Sequence, residues 1–286
     1  MGDSEKFQKI ELWKNPGLGI KSLHESGING KGVDVAIIDQ KLRLTHTEYK
    51  SRIKKYTEVS DLSSDEVSMH GSGVCSFLCG KSCGVAPEAS LHYFATKSDR
   101  PFIFKDLRNA LNELIEENNA KKIEDKIRVV SISMGFHDDV DELGLVDFKR
   151  ELDVALETGL FVFVINKNYL KKNIIAGGSK EDKDNPQSYN PAIFLKDMVG
   201  EINKDAIVVP TDYRSRASYR DDQSYVCEEE GGMSWAIPYL AGVSALALQK
   251  EPNLEFDEFM ELVDTTSTKI PGKFRVINPR GIIESL

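Results

Sequence analysis

Three residues of this 286-residue chain have side chains that together can activate a hydroxyl for attack on a carbonyl. Asp39 ends the apolar run VDVAIID, His70 stands in SMHGSGVCSFLCG and Ser234 in GGMSWAIPYLAG, in the chain order Asp, His, Ser. A hydroxyl is a poor nucleophile until a positioned imidazole takes its proton, and the imidazole needs a carboxylate to fix its tautomer and stabilise its charged form. His70 is followed by Gly71, Ser72, Gly73 and an apolar stretch, so it reads as a helix start with its ring free to face a cleft. The chain has five histidines, and a histidine is usually a surface or satisfied core residue, so its context must carry the assignment. Ser234 opens a strongly apolar helix whose Pro238 is expected within the first turn, where a missing amide costs little. On this segment alone nucleophile and helix N-cap stand level, and one serine can serve as both.

Stepping outward, the elements that must hold these residues are short apolar runs at 33–39 and 91–95 (LHYFA), 127–133 (IRVVSIS), 160–166 (LFVFVIN) and 206–209 (AIVV). Their hydrophobicity is continuous rather than alternating, the pattern of strands covered on both faces. Between them lie helical patterns. FKDLRNALNELIEENN sets Leu107, Ala110, Leu111 and Leu114 on one face; VDFKRELDVALETG closes on Gly159; EFDEFMELVDTT aligns Phe256, Phe259, Met260 and Val263. Strand and helix in alternation predict an α/β fold, a three-layer, doubly wound, mostly parallel sheet in one domain. In such sheets the loops at the carboxyl ends of the strands carry the chemistry, and Asp39 sits at one of them. The polar segment from Lys167 to Lys204 reads as a surface excursion.

Composition narrows the partners. A formal net charge of -9 argues against a nucleic-acid surface, and no apolar run approaches the roughly 18 residues of a membrane span, so peptides or small molecules are the expected partners. The N-terminus lacks the charged-then-apolar pattern of a secretory signal, which predicts a cytoplasmic protein. Cys75, Cys79 and Cys83 crowd into nine positions, too close for a disulfide framework, and together with Cys227 they are expected as free thiols, the first three as core residues rather than metal ligands. Asp221, Asp222 and the run Glu228 to Glu230 are expected as solvated surface.

The three segments resemble those of the subtilisin-like serine proteases, the subtilases. GKGVDVAIIDQ resembles that family's aspartate strand, HGSGVCSFLCGKSCGVAPEASLHYFA its histidine helix and following turn and strand, and GGMSWAIPYLAGVSALALQKEPNL its serine helix. His46, seven positions after Asp39, matches the family's structural histidine, and NPRGIIESL matches its closing segment. The resemblance spans residues 12–286, leaving residues 1–11 as a short leader that is expected to fold over the cleft as a regulatory segment. It implies Ser234 as nucleophile, His70 as general base and then acid, and Asp39 as the orienting carboxylate. Counting from Gly159 it implies Asn168 as the side-chain oxyanion donor, with Asn166 as the competitor. It further implies that Ser133, Met134 and Gly135 form the edge on which substrate backbone pairs, and that Phe102 to Phe104 form the opposite wall.

The match has departures. Asp39-Gln40-Lys41 stands for Asp-Thr/Ser-Gly, His70-Gly71-Ser72-Gly73 for His-Gly-Thr-His, and Met233 and Ile237 replace Thr and Ser beside the nucleophile. The connection from His70 to Gly84 is shorter than in the calcium-binding relatives, so the strong calcium site is expected to be missing, with no metal or cofactor required. The expected function is a serine endopeptidase acting on peptides or proteins; the alternative is a catalytically weak or silent subtilase fold that binds peptides. The acidic surface hints at basic substrates. An intracellular enzyme with a short leader is preferred over a secreted, processed domain. An α/β-hydrolase needs its histidine after the serine, and the last histidine here is His137.

Overall fold

The computed structural model describes residues 3–97, 103–122, 125–137 and 142–286. The chain begins with α1 (Asp3–Trp13) and α2 (Ile20–Glu25), then runs through β1 (Asp34–Asp39), β2 (Ile53–Glu58), α3 (Met69–Cys79), β3 (Ser90–Ala95), α4 (Ile103–Asn119), β4 (Val129–Gly135), α5 (Leu145–Glu157) and β5 (Phe161–Ile165). There follow α6 (Lys167–Leu170), β6 (Ile174–Gly178), β7 (Asn190–Pro191), β8 (Ile207–Pro210), β9 (Arg214–Ala217) and β10 (Tyr225–Glu228). The last elements are α7 (Met233–Lys250), α8 (Phe256–Thr266), β11 (Thr268–Lys269), β12 (Arg275–Val276) and α9 (Pro279–Glu284).

The continuous apolar runs have a direct structural reason. Successive side chains of a strand point to opposite faces, and here both faces are core. Val35 and Ile37 of β1, with Phe161 and Phe163 of β5, join one cluster with α3 and α7 residues such as Val74 and Leu240. Ala36 and Ile38, with Val162 and Val164, join the other, with Leu107 of α4 and Leu152 of α5. The principal sheet is parallel throughout, in the order β2-β3-β1-β4-β5. A second sheet runs β11-β12-β8-β6-β7, and β9 and β10 form an antiparallel hairpin. Helices on both faces of a mostly parallel sheet are the α/β architecture expected. No helix among the described residues is long and apolar enough to cross a membrane.

Three expectations are corrected. The segment 167–204 is not only an excursion: Ile174–Gly178 forms β6, parallel to β8 with Ile174 opposite Ile207, because its short apolar run finds a buried partner. Pro238 lies in the second turn of α7, not the first, since the helix starts at Met233. Among the described residues, none of the N-terminal segment lines the cleft of Asp39 and His70. Helix α1 crosses the 11/12 boundary and packs on the β9–β10 hairpin, where Ser215 Oγ donates to Ile10 O at 2.9 Å, Lys9 pairs with Glu229 at 2.8 Å and the buried Trp13 ring meets Tyr213 edge-on.

The short connection after α3 is closed by one buried carboxylate. Glu48 Oε1 accepts from Ser82 N and Cys83 N at 2.7 Å each, and Oε2 accepts from Ser82 Oγ at 2.9 Å and Tyr225 Oη at 2.6 Å. Buried His46 fixes the same region, its Nε2 on Ser224 O at 3.0 Å and its Nδ1 accepting from Glu48 N at 3.1 Å. Among the described residues no group of His, Cys, Asp and Glu suited to a metal ion comes together. All four cysteines are free; Cys75, Cys79 and Cys83 are buried, and burial pushes the Cys75 and Cys83 thiols well up, which keeps them protonated.

Candidate active site

Asp39 and His70 meet at the carboxyl end of β1. Asp39 is 6 % exposed; its Oδ1 accepts from Gln40 N at 2.8 Å and lies 2.8 Å from His70 Nδ1. His70 is the second residue of α3, held there by the N-cap Ser68, whose Oγ accepts from His70 N at 2.9 Å and donates to Gln40 Oε1. This bond ties the histidine helix to the aspartate strand, and uses the Gln40 that departs from the family pattern. Gly71 permits the close approach: a Cβ there would lie 2.5 Å from Tyr93 Oη and 2.6 Å from Gln40 O. Burial pulls the His70 pKa down, but the charge and hydrogen bond of Asp39 outweigh it, with Arg216 opposing, and the net value lies above the ordinary 6.5.

Ser234 is the second residue of α7, and the N-cap is Gly232, so the cap reading of this serine is overturned. Its neighbour Trp235 lays its ring 5.3 Å from the His70 ring at 32°, which brings the start of α7 against the start of α3. The indole edge meets Phe77, Arg216 lies 5.8 Å over it, and Gly73 leaves it room, since a Cβ at that position would be 2.9 Å from the ring. Ser234 Oγ forms no hydrogen bond among the described residues; catalytic hydrogen bonds are often long before substrate arrives.

The backbone at Ser234 is held in an unusual way. Its carbonyl would normally accept from the amide four residues on, but that residue is Pro238, which has no N–H. Ser133 Oγ takes the vacant place and donates to Ser234 O at 2.8 Å. Ser133 therefore joins the end of β4 to the nucleophile segment. Met134 and Ser133 line a narrow cleft with Asp39 and His70, while Gly135 pairs with Ile165 of β5.

The two asparagines separate by role. Asn166 is 8 % exposed and caps α6, its Oδ1 accepting from Asn168 N at 2.9 Å and its Nδ2 donating to Phe136 O at 3.3 Å. Asn168 is exposed and lines a pocket of about 670 Å³ together with Phe136, Ile165, Lys167 and Met233, the residue before Ser234. Of the expected opposite wall, Phe102 lies outside the described residues. Phe104 is 1 % exposed and packs edge-on against Phe136 and tilted against Phe148, so it is core; Ile103 is the residue that reaches the cleft.

Sequence reasoning missed Ser68, Trp235 and Gly73. A serine two residues before a helical histidine is a cap signature and was available as a signal. Asp221, Glu229 and Glu230 are exposed as expected, whereas Asp222 and Glu228 are half-buried and paired, Asp222 with Arg43 at 2.9 Å and Glu228 with the buried Arg216 at 2.6 Å.

Comparison with known proteins places the family and the fold. The sequence model described as the subtilase family matches residues 30–211, a span that takes in Asp39, His70 and Asn168 and stops short of Ser234. The subtilisin-like protease PopC of Myxococcus xanthus (strain DK1622) is 25% identical over 283 residues, covering 88% of this chain and 59% of PopC, so the chain spans little more than half the length of that relative. The solved structure of the prenylagaramide maturation protease PagA is similar with a TM-score of 0.65 at 16% identity, over 93% of this chain and 97% of PagA. The A-subunit of the AB5 toxin from E. coli is similar with a TM-score of 0.70 at 13% identity, over 96% and 98%.

Proposed function

Since the chain belongs to the subtilase family, we propose that it is a serine endopeptidase working through Ser234, His70 and Asp39 with an acyl-enzyme intermediate. In this reading Ser234 Oγ attacks the peptide carbonyl while His70 Nε2 takes its proton, and Asp39 holds Nδ1–H and steadies the imidazolium. The imidazolium then gives its proton to the departing amine, leaving an ester on Ser234. A water molecule, deprotonated by the same imidazole, cleaves that ester and releases the acid half of the substrate, with the proton returned to Ser234 Oγ.

The negative charge that develops on the carbonyl oxygen needs donors already in place. The first amides of α7 have no partner within the helix, and Asn168 stands exposed on the neighbouring pocket. Asn168 is the donor we assign, because its side chain is exposed on the pocket that Met233 lines whereas Asn166 is buried. Ser133, Met134 and Gly135 at the end of β4 are assigned to the substrate backbone, and peptides or proteins are the substrates. The four free thiols support a cytoplasmic setting.

The observation that carries the reading is the Asp39–His70 pair at 2.8 Å, with the helix start bearing Ser234 held against it by Trp235. Hydrolysis of an internally quenched peptide library by the native chain, lost in Ser234→Ala, is the expected result. A native chain that binds peptides without cleaving any of them would support the silent, peptide-binding alternative instead.

A further inference from the structure

We propose that the pocket beside Ser234 selects an acidic side chain, glutamate before aspartate, on the residue whose carbonyl is attacked, and that Lys167 determines this choice. The proposal rests on the protease reading above. The pocket is bounded by Met233, directly before Ser234, and by Asn168, so a substrate carbonyl held between the nucleophile and that asparagine directs its own side chain inward. A volume of about 670 Å³ accommodates a long side chain, and Phe136, Ile165 and Leu170 provide an apolar wall for its methylene stem.

The charges lining this space have one sign among the described residues. Among the described residues the pocket is lined by Lys167, Lys172 and His137 and by no aspartate or glutamate. Lys172 is already engaged, its Nζ lying 2.9 Å from Glu261 and 3.0 Å from Asp264. Lys167 is exposed and has no ion pair with any described residue. An incoming carboxylate would therefore meet an ammonium that pairs with no carboxylate among the described residues, whereas an incoming lysine or arginine would meet a like charge. Glutamate, with one methylene more than aspartate, reaches further past the apolar wall. This local sign opposes the net charge of -9, which had hinted at basic substrates. The net charge acts at a distance and is screened within about 8 Å at physiological salt, while the pocket acts in contact.

The test uses the full chain and four peptides that differ only at the residue before the scissile bond, carrying Glu, Gln, Leu or Lys. Attraction of one sign and rejection of the other add, so kcat/KM for Glu should exceed that for Lys by about tenfold or more, a ratio that shrinks as salt is added. Lys167→Glu should invert the order of Glu and Lys and Lys167→Gln should level it, while Lys204→Glu, an exposed charge change outside the pocket, should leave it as it was. Labelling of Ser234 by a fluorophosphonate is measured in parallel. A labelled enzyme that prefers Lys or Leu, or whose order ignores Lys167→Glu, overturns the pocket assignment alone. A native chain that neither labels nor cleaves overturns the protease reading and the pocket assignment with it.

Discussion

At the scale of single residues, the histidine is set by two opposed effects, and the sign of their balance has a kinetic consequence. His70 must be neutral to accept the Ser234 proton, and its pKa is held above 6.5 because Asp39 outweighs burial. The neutral fraction falls as pH drops through that raised value, so the acid limb of kcat/KM for the native enzyme should lie above pH 6.5. Asp39→Asn removes the raising charge. Its acid limb should move to lower pH and its rate should fall, by about 10⁴-fold if the tautomer is lost as in the general serine-protease case. A limb that stays in place would mean that Asp39 does not govern the imidazole. The residue types and their order were legible in the sequence because each sits in a distinctive local setting. Whether Ser234 capped its helix was not, since that depends on where the first helical residue falls, and a shift of two positions separates a cap from a nucleophile. Asn166 and Asn168 are likewise two positions apart, and the burial of Asn166 with its cap hydrogen bond from Asn168 N separates them.

At the scale of elements, the proline of α7 and the serine of β4 form a coupled pair. Pro238 deprives Ser234 O of its helical partner and Ser133 Oγ replaces it. Ser133→Ala should leave a carbonyl unsatisfied at the nucleophile segment, costing about 1–3 kcal/mol of stability and lowering kcat more than KM. Pro238→Ala restores an amide four residues after Ser234, so the double variant Ser133→Ala/Pro238→Ala should recover part of both losses. Denaturant unfolding and steady-state kinetics of the four proteins in this cycle read the coupling, and simple additivity would contradict it. The sequence showed β1, β3, β4, β5 and β8 well, because they are apolar on both faces, but not the half-exposed β2. It hid β6, whose few apolar residues lie among Lys, Asn and Gly and become a strand only by pairing with β8. It also could not show that α1 docks on the β9–β10 hairpin, since that contact joins residues some 200 positions apart.

At the scale of the whole molecule, the loop after β6 carries an internal strain of charge. Lys183 is 4 % exposed, and burial together with nearby Arg214 lowers its pKa to about 7. Its backbone carbonyl accepts from Leu18 N at 2.8 Å, so this lysine sits where the N-terminal segment joins the body. Because the folded value is depressed, between pH 7 and 10.5 the unfolded chain holds a proton that the folded chain lacks, and stability should rise with pH across that window. Lys183→Met should stabilise the protein at pH 6 to 7, by on the order of 4 kcal/mol, and flatten the rise. Parallel stability curves for the two proteins would refute it. The parallel α/β class was readable from strand and helix alternation, whereas this buried cation gave no sequence signal in a polar, lysine-rich stretch. The central claim, that the chain works through Ser234 activated by His70, is tested most directly by locating a fluorophosphonate adduct with peptide mass spectrometry. The account predicts one adduct on Ser234, absent in Ser234→Ala and strongly slowed in His70→Ala. A native protein that stays unlabelled, or one labelled at another residue with Ser234 unmodified, would contradict it.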